Sequence, residues 1–496
     1  MFYRAWNQLD MLAFRSPIFP LPRKNFRRVS LMIRHIKLTW FFSLSFLLFF
    51  RSGIALRLSG VFDERCYFSW LELLMNMNLA GCESSSHPPG IALLWFPFAL
   101  LGKGFAYFLQ EEPENWIIAF TGLSGFLFWG LSLTILARIC EKIANQTQDP
   151  LLKKWLQNDW IPPLLILQIP ALFYAGTRSL MAHSGELFLA LALLWAILSA
   201  RYFWSLFLFF LLLVTRPIDF IFLLPLAMGF SKETNPAREK GKWPLALICS
   251  GAVLYLIKVA IVSGYHHTYL LPLLKNFSWR QVGSFLFRSD FGLFWTQPIW
   301  VLFVARFLNR YRRLSPFCWS LGFCSLFAGL TTLLWPTHGS TFSFRYLIGT
   351  YPCLLVYFFL DAPHWSLNAL KLKVLTGLMC FQAVWLQILL WVYRGPETLW
   401  PWPSPQCEGW MPPYSVIKLW FSHFDLFLNM GTFSAMGQII STFLGKSLQF
   451  GWMDEARDYA LDGNLGRVVF LVMIFSLGVW FLTSIILLSH GRRRLK

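Results

Sequence analysis

The sequence predicts an all-α, polytopic membrane protein of about twelve transmembrane helices, each needing roughly 20 apolar residues. Three observations point there. Of the 496 residues, 56% are hydrophobic and only 14% are charged, more apolar surface than a soluble chain of this length hides. Phe and Trp number 51 and 25, aromatic types that favour membrane interfaces. The net charge of +19 is carried largely between the apolar runs. That pattern is positive-inside topology, and it argues against nucleic acid as a partner.

The first 36 residues form a basic segment with Arg23, Lys24, Arg27, Arg28 and Arg34, expected to be cytoplasmic and followed by an uncleaved span over 37–58. A first outer loop covers 60–115. Within it, 91–109 is apolar, yet the basic stretch after the span 116–138 leaves no room for a simple crossing. An interfacial or re-entrant helix is expected there. Further spans are expected over 160–177, 186–200, 243–262, 291–308, 315–335, 346–360 and 374–392. The short runs 202–214 and 218–230, joined by Thr215, Arg216 and Pro217, read as a tight hairpin. The transmembrane domain thus covers 37–392. A Pro- and Trp-rich outer loop follows over 393–466, either a lid or an interfacial cap, and a last span with a basic cytoplasmic tail over 467–496. The nine cysteines show neither CxxC nor Cys/His spacing, so neither a disulfide framework nor a zinc site is expected. No internal repeat is apparent.

Several polar residues stand out against this background. VFDERCY at 61–67 puts Asp63 and Glu64 just beyond the first span. Either is a solvated loop acid or a base for a hydroxyl, its pKa raised by a low-dielectric interface. SSSHPPG at 84–90 fixes the backbone before the next helix and carries His87. Arg178, Arg216 and Arg345 fall on the outer side in this topology. The planar donor fork of arginine suits a phosphate. Arg216 lies between apolar runs, where an ionisable residue is either functional or snorkels to the interface. Glu186 begins a span, where a carboxylate also suits the helix N-terminus.

These motifs together resemble the C-type (GT-C) glycosyltransferases, and more narrowly the bacterial relatives of protein O-mannosyltransferases and of the lipid A aminoarabinose transferase. The likeness runs from the acidic pair with Tyr67, through HPPG, to FYAGTR at 173–178 and ELFL at 186–189. It continues through GLFWTQP at 292–298 and THGSTFSFRY at 337–346, followed by Pro352. Phe344 and His338 stand where the pattern carries glycine, and nothing after residue 360 matches it. The resemblance implies a GT-C-like fold with juxtamembrane helices in the first outer loop. It implies a polyprenyl-phosphate-linked sugar donor, an acceptor of unknown kind, and a bacterial inner membrane with both termini cytoplasmic and the site periplasmic. It implies Asp63 or Glu64 as the base and inversion at the sugar. Tyr67, His87, Arg178, Glu186, Arg216, His338, Arg345 and Tyr346 are the substrate-binding candidates. No metal ligand is assigned, and a divalent metal near the acids is allowed but not required. Membrane lipids are the other expected partners. Two alternatives remain: a transporter or flippase for lipid-linked glycans, and a non-catalytic envelope assembly protein. A transporter would place ionisable groups near mid-membrane and break its helices in two related halves.

Overall fold

The computed structural model describes residues 62–77, 88–110, 112–176, 180–229, 293–334, 347–365 and 368–393, with isolated positions near 38–45 and 283–287. Among them every regular element is helical and none is a strand. Three helices are long and apolar enough to cross a membrane: Gly90–Leu109, Trp116–Gln146 and Ala369–Leu386. The other apolar helices are shorter.

Helix α1 (Phe62–Met75) and helix α2 (Gly90–Leu109) precede α3 (Pro113–Gln146). The face of α1 carrying Cys66, Tyr67, Phe68 and Leu71 is buried and packs on α2. Cys66 is disulfide-bonded, contrary to the expectation from cysteine spacing, because a lone pair can meet in space without any motif. Gln110 ends α2 in the left-handed region at φ 56°, and Pro113 opens α3 at N1. The two helices then run antiparallel. Phe105 stacks on Trp116 at 6.1 Å and Phe98 meets Phe128 edge-on at 5.9 Å. Gly102 permits the close approach, since a Cβ there would strike the backbone of Trp116 and Ile117. Segment 91–109, expected to be interfacial or re-entrant, is this helix α2, and it packs lengthwise on α3.

After α3, Asp149 caps α4 (Pro150–Leu156) by accepting from the Leu151 and Leu152 N–H groups at 2.9 and 3.2 Å. Lys153 and Lys154 are exposed while Leu152 and Leu156 are buried, so α4 lies on the protein with its charges out.

Residues 160–177, expected as one span, form two short helices, α5 (Ile161–Ile166) and α6 (Ala171–Gly176). Pro170 lacks the N–H that would continue the ladder. Later, α10 (Leu293–Thr296) and α11 (Pro298–Arg310) are likewise separated at Gln297, whose backbone leaves the helical region at φ −138° and ψ 48°. Breaks inside an apolar interior leave backbone groups without water to bind. Three buried glutamines take them up. The Gln168 carbonyl accepts from the amides of Gln297 and Gln382 at 2.9 and 3.0 Å. The Gln382 side chain accepts from the Ile299 N–H at 2.9 Å and donates to Gln297 Oε1 at 3.0 Å. Gln382 sits on α14 (Ala369–Tyr393), so this node ties three chain segments together. Gln382→Leu orphans the Ile299 N–H and Gln297 Oε1. Its expected cost is about 1–3 kcal/mol, measured by denaturant titration in detergent; Gln382→Glu, which sets an acceptor against the Gln168 and Gln297 oxygens, is no milder. An unchanged midpoint in Gln382→Leu would show that the node contributes nothing.

Helix α7 (His183–Leu198) runs parallel to α3: Phe188 stacks on Phe128 at 5.4 Å, and Lys142 reaches Ser199 at 3.4 Å. The chain turns into α8 (Tyr202–Thr215), a 3-10 turn (Pro217–Phe222) and α9 (Leu223–Gly229). Gly229 lies against Ile197, so this arm returns to the end of α7 where it began. At 14 residues α8 rises only about 21 Å, short of the ~30 Å apolar layer. The hairpin turns because Pro217 bars its predecessor from the helical region, and Arg216 is extended at φ −148° and ψ 106°. Helix α12 (Pro316–Leu334) lies antiparallel to α11, with Gly322 against Phe307 and Gly329 against Trp300. Helix α13 (Tyr351–Asp361) is buried along nearly its whole length. Arg138, Lys142, Arg310, Arg312 and Arg313 mark one end of this assembly, called the basic end below.

Candidate functional site

The tip of the α8–α9 hairpin carries the most concentrated buried charge among the described residues. Arg216 is 7% exposed and Glu186, in the first turn of α7, is 0% exposed. Arg216 Nη1 donates to Glu186 Oε2 at 2.5 Å. His183 Nδ1 lies 3.0 Å from the same oxygen and 3.1 Å from Arg216 Nη1. Nδ1 either donates to the carboxylate or accepts from the guanidinium, so the tautomer decides how the triangle is satisfied. His183 also meets the ring of Tyr174 edge-on at 4.4 Å.

Glu186 Oε1 has no hydrogen-bond donor among the described residues. It points at Gly349, where a Cβ would collide with the carboxylate. Glycine is therefore needed there if the acid is to sit at this depth. Asp219, three residues beyond Arg216, is 2% exposed and its Oδ2 likewise lacks a donor among the described residues. The Asp219 carboxyl lies within electrostatic reach of Arg216. The hairpin tip thus meets the start of α7 through Glu186. Gly90, the first residue of α2, packs on the Val214 and Thr215 backbone.

Of the residues singled out in the sequence, the structure brings two into contact, Glu186 and Arg216, while Tyr67 is buried on α1. Asp63 and Glu64 belong to α1, whose backbone places Asp63 one turn before Tyr67; their side chains lie outside the described residues. His87, Arg178, His338, Arg345 and Tyr346 also lie outside them. Arg216 was expected to hold a donor phosphate. Part of its donor fork is committed to Glu186, since a lone guanidinium at this burial is costly without a counter-charge. Glu186 is correspondingly more than a residue favoured at a helix start.

His183 and Asp219 were not anticipated. Each had a signal. His183 stands three residues before Glu186, within reach on one helix face. Asp219 is an acid inside an apolar run, a functional candidate by its setting alone. Among the described residues no three His, Cys, Asp or Glu side chains stand close enough to hold a metal. No family model, no curated protein and no solved structure matches the chain.

Proposed function

We propose that the chain is a GT-C-like membrane glycosyltransferase that moves a sugar from a polyprenyl-phosphate carrier to an acceptor at the outer face of a bacterial inner membrane. About twelve spans, with both termini cytoplasmic, would frame the site. The observation that carries this proposal is the buried Arg216–Glu186 pair at the hairpin tip, beside the start of α2, on which the helix bearing the acidic pair packs. With the basic end facing the cytoplasm, Glu186 lies twelve residues above Leu198 on α7, about 18 Å up and past the midplane of a ~30 Å layer. The disulfide at Cys66 agrees with α1 facing an oxidising compartment.

The chemistry is a direct displacement. The acceptor hydroxyl attacks the anomeric carbon while Asp63, or Glu64, takes its proton. The anomeric carbon–oxygen bond to phosphate breaks, its electrons leave with the polyprenyl phosphate, and the configuration inverts. Arg216 and Arg345 balance the phosphate charge. The test is incubation of the purified chain with a panel of polyprenyl-phosphate sugars. Transfer from at least one, with release of polyprenyl phosphate, is expected; none from any donor would refute the activity.

One observation favours a transporter or flippase of lipid-linked glycans as a second reading. The ionisable cluster sits at a helix break near mid-layer, a common arrangement in transporters. That activity would move the intact donor across a vesicle bilayer without breaking the sugar–phosphate bond. Sidedness is testable separately. Single cysteines at Ser85 and Ser404 are expected to label from outside, and those at Lys153, Lys240 and Arg312 from inside. Labelling of Ser85 and Lys153 from the same side would overturn the topology.

A further inference from the structure

At the basic end, far from the hairpin tip, Arg306, Arg310, Arg312 and Arg313 line an open cavity of about 760 Å³ together with Asn309 and His364. A basic turn at a membrane's inner edge is ordinarily a solvated face. Here Arg306, Arg310 and Arg312 have partners. Arg310 and Arg306 pair with the buried carboxylate of Asp361 at 3.0 and 3.5 Å. Arg306 Nη2 also donates to the His364 carbonyl at 3.1 Å. Arg312 Nε donates to the Tyr311 hydroxyl at 2.8 Å and lies over that ring at 5.5 Å. Four guanidinium groups thus share one cavity with a single anchoring carboxylate. Phe303 and Phe307 of α11 stack or meet edge-on with Phe358 and Tyr357 of α13, so the wall is held by packed helices.

We propose that this cavity binds a phosphate group at the membrane surface, the headgroup of an anionic lipid being the favoured source. Arginine forks match phosphate oxygens two at a time, and basic pockets between membrane helices on the cytoplasmic side suit anionic headgroups. The open mouth admits a headgroup whose acyl chains stay in the bilayer. Leu302 and Leu308 on α11, 39% and 52% exposed, offer those chains an apolar surface beside it.

The experiment uses the full chain in phosphatidylcholine micelles. One arm titrates a fluorescent phosphatidylglycerol, the other inorganic phosphate. Arg312→Gln with Arg313→Gln is the test variant, since both residues are exposed and outside the Asp361 pairing. Lys153→Gln with Lys154→Gln removes the same charge from α4 at the same end, outside the cavity. The expected result is phosphatidylglycerol binding weakened about 25-fold in the arginine variant, at about fivefold per charge, and little changed in the lysine variant. Phosphate binding without lipid, lost in the same variant, would support the site and identify a free anion as its ligand. Equal losses in the two variants would show a diffuse surface potential and overturn the proposal, as would failure of the native chain to bind either probe.

Discussion

Asp63→Asn is expected to lower sugar transfer by about 10²–10⁴-fold, the usual scale for loss of a general base. A hydroxyl is a weak nucleophile at neutral pH, so its proton must leave as the new bond forms. Asn keeps the shape and removes the basicity. Asp63 lies at the start of α1, one turn before the buried Tyr67. Protein abundance and carrier binding should change little. Glu64 sits about 100° further round the helix, so only one of the two acids should lie on the reacting side. Glu64→Gln is therefore expected to cost less than Asp63→Asn. The reverse order in single-turnover rates would assign the base to Glu64.

Arg216→Ala is expected to destabilise the fold by about 3–5 kcal/mol, because it strands Glu186 as a buried charge without its partner. Activity loss in that variant alone would not separate binding from folding. A double variant does. Glu186→Leu with Arg216→Met replaces the pair by apolar side chains of similar size, an exchange often neutral or stabilising at buried pairs. Its denaturation midpoint should return close to that of the native chain, while donor use should not. Arg216→Lys keeps the charge but loses the two-pronged donor geometry, and should recover donor use only in part. Full donor use in the stable double variant would make the pair a structural clamp for the hairpin tip and remove it from the reaction.

The helical class was legible because apolar runs and basic loops alternate, and Pro217 marked the turn of the hairpin. Those are local signals. The broken spans were harder to see. Pro170 and Gln297 sit inside runs whose hydropathy reads as continuous, and only the contacts of Gln168, Gln297 and Gln382 across more than 80 residues show why the breaks are tolerated. Charge marked 91–109 as an interfacial or re-entrant helix, but its partner was not legible: Gly102 and the rings of Phe98 and Phe105 set it beside α3. The same lesson holds for the site. Arg216 and Glu186 were each visible as ionisable residues in apolar surroundings, but their pairing at a separation of 30 residues belongs to the tertiary structure. Gly349 carries no signal in the sequence, since its value lies in the space it leaves for a carboxylate.

The central claim is that an acid in the first outer loop drives cleavage of a polyprenyl-phosphate sugar. Release of polyprenyl phosphate, followed by mass spectrometry with the purified chain and its doubly substituted form Asp63→Asn, Glu64→Gln, addresses it most directly. The native chain should release polyprenyl phosphate in step with transferred sugar. The double variant should stay folded, retain the intact donor and release none above background. Release by the double variant at the native rate would contradict the mechanism, and with it the role assigned to the helix that carries both acids.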